Sequence, residues 1–249
     1  MAELSFTTSQ ICNRRAIGYL YERRSQLDPG QFDIIKSIYN NKKKTGNLHT
    51  SQVICYKLSN ELAGKLGYGR LYGTKGSFET LERECRGTIC KEYYHDIDIV
   101  NCHPVILVQF AKRFYNIDLP EVDRYVENRE TFITNVMEEF KTDREGAKKQ
   151  IITVIYGGVA KKGSYLYDMS QEIRAFSKKL YLMPEYQDLA IAVKTKDNVY
   201  GSFLSFVLQT EERKCMFGMK EFFETEGWSV DVICYDGVMI RKREGILYN

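Results

Sequence analysis

Apolar and polar positions alternate in two short stretches of this chain, and most of what lies between them has helical spacing. In "YYHDIDIVNCHP", Tyr93 to Pro104, a strand would bury Ile97 and Ile99 on one face while Asp96 and Asp98 project together from the other. In "WSVDVICYDGVMIRKR", apolar strands flank Asp236-Gly237, a strong hairpin signal. Between these two elements "HPVILVQFAKRF" places Pro104 in the first turn of a helix, where a proline is tolerated. Further helices are predicted near 121–140, 144–157 and 170–181, and a long amphipathic one runs through "SFLSFVLQTEERKCMFGMKEFFETEG" to Gly227. Residues 1–67 read as mainly helical, with Asp28-Pro29-Gly30 as a turn before "QFDIIKSIYNN". "NNKKKTGN", 40–47, is a polar loop whose three lysines are either a solvated tip or a phosphate-backbone contact. From Gly67, "GYGRLYGTKGS" suggests strand and turn.

Composition narrows this only a little. A chain of 249 residues, 43% apolar, has ample material for one large domain or two modest ones. A net charge of +3 is not diagnostic, so a nucleic-acid partner would have to be held by local patches. Seven cysteines without a CxxC pair, and only three histidines, argue against a zinc site and for reduced thiols in an intracellular protein. The N-terminus lacks the apolar core of a signal peptide, and no apolar run approaches the ~18 residues of a membrane span, so no membrane role is expected.

Two β elements, each carrying an aspartate and separated by a helical insertion, suit an antiparallel sheet whose acids meet at one edge. Two carboxylates converging on a pair of divalent cations is the arrangement that nucleotidyl transfer requires. On its own this pattern is weak, because exposed strand aspartates are usually solvated. A second pattern sharpens it. In "REGAKKQIITVIYGG", Arg144, Lys148, Ile152 and Tyr156 follow one another at steps of four, about 400° each, and so lie on one slowly drifting helical stripe. The two cations suit a triphosphate, with Ile152 and Tyr156 against sugar and base. Gly157 and Gly158 let a backbone approach or the helix stop. The plain alternative is a surface helix with a half-buried tyrosine.

Taken together these segments resemble the polymerase core of the family A superfamily, which includes bacterial DNA polymerase I and the phage-type RNA polymerases. They are most similar to the compact branch carried by viruses and transposable elements. "YGRLYGTKGSFETLERECR" is similar to the stretch before the first catalytic strand, "DIDIVNCHPVIL" to motif A, "REGAKKQIITVIYGG" to motif B at identical spacing, and "VICYDGVMI" to motif C. "FVLQTEER" resembles the helix whose glutamine reaches the primer terminus. The resemblance implies an α+β fold with an antiparallel palm sheet (67–103 and 204–249), mostly helical fingers (104–203) and a helical, thumb-like N-terminal segment (1–66).

It also implies roles. Asp98 and Asp236 would be catalytic and hold Mg²⁺, or Mn²⁺ in its place, with the carbonyl of Ile99 as a further ligand. Arg144, Lys148, Ile152 and Tyr156 would hold the nucleotide, and His103 would screen its sugar. Arg70, Gln209, Tyr235 and Gly157 would contact the primer–template. The implied activity is DNA-directed DNA polymerisation from a primer, without proofreading; the implied partners are primer–template DNA, nucleoside triphosphates and a helicase domain or subunit. If viral, the protein would work in the host nucleus or cytoplasm. The chain ends soon after Asp236, so a fragment of a longer protein is expected. His103 stands where the family has glutamate, Ile152 where an aromatic is usual, and Tyr235 and Gly237 where motif C has histidine and glutamate. These departures bear on sugar selection and efficiency. Asp96 has no family counterpart and is either a supporting charge or a solvated residue. Three other readings stay open: a catalytically weak nucleic-acid-binding module, a primase or RNA-polymerase-like enzyme, and a nuclease using Asp96 and Asp98.

Overall fold

A computed structural model describes residues 5–40 and 49–243. In chain order, the first half contains β1 (Ser5–Asn13), α1 (Arg14–Glu22), α2 (Pro29–Asn40), β2 (His49–Leu58), α3 (Leu62–Lys65), β3 (Leu71–Gly73), α4 (Arg83–Cys90) and β4 (Tyr94–Asp98). There follow α5 (Cys102–Tyr115), α6 (Pro120–Glu127), α7 (Arg129–Phe140), α8 (Arg144–Ile155), α9 (Tyr167–Tyr181), α10 (Gln187–Val193) and α11 (Val199–Thr225). The hairpin β5 (Val230–Cys234) and β6 (Gly237–Arg241) closes the described chain. The fold is α+β, with two three-stranded antiparallel sheets ordered β1-β2-β3 and β4-β6-β5.

The expectation of a mainly helical N-terminal segment is corrected. α1 and α2 are helical, but β1 and β2 are long strands paired from Ser5↔Lys57 to Asn13↔His49. The period-2 pattern of β1 is disguised by a buried glutamine. Gln10 is fully buried; its Nε2 donates to the Gly76 carbonyl (2.6 Å) and its Oε1 accepts from the Phe78 N–H (3.1 Å). A polar side chain with both ends satisfied sits in the core at little cost, yet it reads as solvent-facing in a sequence. The lysines of "NNKKKTGN" (42–44) lie outside the described residues.

Two compact units are present. One comprises residues 1–58, 71–99 and 213–249; the other comprises 59–70 and 100–212. Within the first, Ile54, Tyr56, Val230, Ile233, Val238 and Ile240 share one core, with Ile97 and Ile99 packed against it. Tyr94 joins the two sheets: its hydroxyl accepts from the Ile11 N–H (2.8 Å) and donates to Asp231 (2.7 Å), which also takes the Arg241 guanidinium. Burial pushes the Asp231 carboxyl up, while Tyr94 and Arg241 pull the other way.

The second unit is a helical body around Leu107, Phe132, Ile151, Ile173, Phe203 and Leu208. The single helix expected near 121–140 is two, broken at Asn128. Asn101 adopts a left-handed conformation (φ 53°) at the start of α5, and Pro104 sits in that helix's first turn. Among the described residues, no helix is long and apolar enough to cross a membrane, and all seven cysteines are free thiols.

Candidate functional site

In the first unit, Asp96 and Asp98 are both exposed on β4 while Ile97 turns towards the core, as the alternation requires. The β4–β6 ladder pairs Asp98 with Gly237, and beyond it the Ile99 N–H donates to the Asp236 carbonyl (3.0 Å). Two-residue closure of the hairpin, Cys234↔Gly237, places Tyr235 and Asp236 at the tip, with Tyr235 left-handed at φ 55°. Asp98, Ile99, Tyr235 and Asp236 therefore share one end of the sheet. Gly237 makes this fit. A Cβ there would fall on Asp98 Oδ1 and lie 2.8 Å from the Ile97 carbonyl oxygen.

The electrostatics follow from this crowding. Burial and the neighbouring charges of Asp96 and Asp236 push the Asp98 carboxyl above the usual carboxylate range, against the pull of Arg86 and Arg83 on α4. Arg86 lies 3.4 Å from Asp96, so Asp96 is exposed and paired with it. Sequence reading did not single out Arg86, although it closes the "ERECR" segment before the strand. Among the described residues, no three His, Cys, Asp or Glu side chains cluster as a metal site. Two carboxylates with a backbone carbonyl nonetheless suit Mg²⁺, which takes hard oxygen ligands and keeps several of its waters. A divalent cation bound there would relieve the repulsion from Asp96 and Asp236 that adds to burial in lifting Asp98.

The second unit holds the remaining candidates in two groups. On α8, Ala147, Ile151, Val154 and Ile155 face the core, and Arg144, Lys148 and Ile152 form the stripe that borders this face. Ile152 is 51% exposed, an apolar residue presented between a cationic turn and the helix end. Both cations are engaged with neighbouring acids: Arg144 is bidentate to Glu130 (2.7 and 2.8 Å), and Lys148 meets Glu145 at 2.7 Å. The Arg144 hydrogen bond holds the Glu130 carboxyl below its ordinary range.

Tyr156 ends α8 and turns onto His103, with its hydroxyl 2.7 Å from Nδ1 and the two rings edge-on at 5.5 Å. On the other side of the imidazole, Nε2 lies 3.2 Å from Glu212 Oε1. Arg70 chelates the same carboxylate through Nε and Nη2, the latter at 2.8 Å. Arg70, Glu212, His103 and Tyr156 thus form one connected polar chain, in which Glu212 is 1% exposed and His103 is buried. Burial alone would push the Glu212 carboxyl up; hydrogen bonds from His103 and Arg70 outweigh it and hold it below the usual range. Glu212 escaped sequence reading because "TEERK" looks like a solvated helix face.

Gln209 sits one turn before Glu212 on α11 and donates to Ser205 (3.1 Å), while the Gly69 N–H donates to Thr210 (2.9 Å). The segment carrying Arg70 is thereby laid along the helix that carries Gln209. Gly157 is left-handed at φ 77°, and a Cβ on it would come within 2.7 Å of Gly201 Cα. Its evident task is to end α8 and let the start of α11 come close, helped by Asn198, which donates to the Tyr156 carbonyl (3.1 Å).

No family model matches the chain, and no solved structure matches it. A protein of Sputnik virophage named "Putative helicase V13" is 28% identical over 194 residues, covering 71% of this chain and 24% of that protein. The chain thus spans about a quarter of the length of the relative it matches.

Proposed function

We propose that this chain is a template-directed nucleotidyltransferase, a DNA polymerase core that extends a primer with Mg²⁺. The observation that carries the reading is the placement of Asp98 and Asp236 at one end of the β4-β6-β5 sheet, with Gly237 leaving room for the Asp98 carboxylate. When bound, divalent cations activate the primer hydroxyl and neutralise the departing pyrophosphate. Asp98, Asp236 and the Ile99 carbonyl would hold them. Arg144 and Lys148 take the triphosphate by exchanging Glu130 and Glu145 for phosphate oxygens, since both pairs are exposed and exposed pairs are weak. Ile152 covers the base or sugar, and Tyr156 stands beside them on His103. Arg70 and Gln209 reach the minor groove, whose acceptors are common to all base pairs.

The virophage relative supports an origin among proteins that act on nucleic acid, and a helicase as the companion of this segment. Its name describes a protein about four times the length matched. The phosphate-binding loop of P-loop motors, GxxxxGK[ST], does not occur in this chain, which favours a segment with a task other than the motor's own. A second reading, a nucleic-acid-binding module without catalysis, is favoured by the acids already occupying Arg144 and Lys148. Extension of a labelled primer on a DNA template with Mg²⁺, supplying each nucleotide type separately, tests the first reading. Template-dependent products are expected. Duplex binding without any extension would select the second.

A further inference from the structure

We infer that Glu212 is a positioning residue that fixes His103 as its neutral Nε2–H tautomer, so that Nδ1 accepts the Tyr156 hydroxyl and the two rings stand as one rigid wall. The assignment rests on hydrogen-bond polarity within a single compact unit. A neutral imidazole has one donor nitrogen and one acceptor nitrogen. An ionised carboxylate accepts only, so the nitrogen facing Glu212, Nε2 at 3.2 Å, carries the proton. Nδ1 is then a bare lone pair, and the hydroxyl 2.7 Å away donates to it. The direction runs from Tyr156 to His103 to Glu212, and Arg70 donates to both oxygens of the same carboxylate through Nε and Nη2.

Two observations support the direction. Arg70 Nη2 lies 3.5 Å from Nε2, at the outer limit of a hydrogen bond, whereas it lies 2.8 Å from Glu212 Oε1, so the guanidinium's close partner is the carboxylate and not the imidazole. Charge balance points the same way. Glu212 and Arg70 already cancel, and a proton on both imidazole nitrogens would leave a net positive charge among largely buried groups. Stability alone does not call for Glu212. A carboxylate at 1% exposure costs more to bury than an apolar side chain of similar size, even when paired. What a carboxylate supplies and a leucine does not is the polarity of this chain.

The consequence for selectivity rests on the nucleotidyltransferase reading. With both ring nitrogens committed, His103 and Tyr156 cannot yield sideways to a ribose 2′-hydroxyl. Freeing the imidazole would let them do so.

The test uses the whole chain with ¹⁵N-labelled histidine, read by the long-range nitrogen–proton couplings that distinguish tautomers at neutral pH. Only His49, His95 and His103 contribute, so comparison with His103→Asn assigns the signal. The wild type is expected to show Nε2 protonated and Nδ1 bare; an Nδ1–H tautomer or an imidazolium would overturn the proposal without any variant. In Glu212→Leu the acceptor is removed while much of the side-chain volume is kept, so nothing holds the proton on Nε2. The pure Nε2–H signal should therefore give way to a mixture of both tautomers in a folded protein. Retention of Nε2–H would show that Glu212 does not set it. Single-turnover incorporation of deoxynucleotides and ribonucleotides by the same two proteins completes the test. The ratio should move towards ribonucleotides by about ten-fold, the size of a modest loss of discrimination. A loss of the pure Nε2–H tautomer with an unchanged ratio would overturn the positioning role. Absence of any incorporation by the wild type would count against the nucleotidyltransferase reading, while the spectrum would still decide the tautomer.

Discussion

Asp98 and Gly237 are partners across the β4–β6 ladder, and the space a Cβ would occupy at 237 is already taken by Asp98 Oδ1. The glycine at this position is therefore a condition for where the carboxylate sits. Gly237→Ala should displace Asp98 and press on the rigid Ile97 carbonyl, costing about 1–3 kcal/mol as overpacking does. Thermal unfolding should report the lost stability, and nucleotide incorporation should fall ten-fold or more. A variant with unchanged activity would show that the Asp98 position is not set by this contact.

The raised Asp98 carboxyl makes a pH prediction. Its folded-state value lies above the unfolded one, so its contribution to stability is complete below the ordinary carboxylate range and is lost as pH rises through the raised value. At neutral pH without metal, Asp98 ionised beside Asp96 and Asp236 is a source of strain. Asp98→Asn should accordingly raise the melting temperature there and flatten its dependence on pH in the acid range. Added Mg²⁺ should stabilise the wild type and leave Asp98→Asn unmoved. A lower melting temperature for Asp98→Asn in metal-free buffer would contradict the electrostatic account.

Under the proposed nucleotidyltransferase reading, Glu130 and Glu145, the partners of Arg144 and Lys148, would compete with phosphate for these cations. Lys148→Ala should raise the nucleotide KM and slow the reaction, because charge builds on the transferring and leaving phosphates. Arg144→Lys should be only partly tolerated, since the bidentate fork is lost. Glu130→Gln should lower KM a few-fold by releasing Arg144. Steady-state kinetics on a fixed primer–template measures all three, and unchanged values throughout would remove α8 from the nucleotide site.

His103→Gly removes both the wall and a partner of Glu212. Ribonucleotide incorporation relative to deoxynucleotide should rise about ten-fold, roughly 1.4 kcal/mol of discrimination. The protein should also lose about 1–3 kcal/mol of stability as the buried carboxylate loses one donor. Competition between the two nucleotide types, read alongside denaturant unfolding, separates the effects. An unchanged ratio would confine His103 to structure.

Much of this arrangement was legible because local chemistry forced it. The Ile97–Asp98 alternation, the Tyr235-Asp236-Gly237 turn and the fourfold spacing of Arg144, Lys148, Ile152 and Tyr156 each leave a short-range pattern that few folds alter. β1 was hidden because its inward side includes Gln10, whose burial depends on Gly76 and Phe78 far along the chain. Glu212 was hidden for the same reason. Its neighbours Glu211 and Arg213 suggest solvent, and only Arg70 and His103, distant in sequence, make its burial affordable. Polar groups satisfied by distant partners are what single-sequence patterns miss.

The central claim, that Asp98 and Asp236 together hold the catalytic metal, is tested most directly by primer extension with Asp98→Asn and Asp236→Asn beside the wild type, with Mg²⁺ present and duplex binding measured in parallel. Wild-type extension, its loss by a factor of about 10³ or more in each variant, as expected when metal-bound charge stabilisation is removed, and unimpaired duplex binding are the predicted results. Extension by either variant at near the wild-type rate would contradict the account.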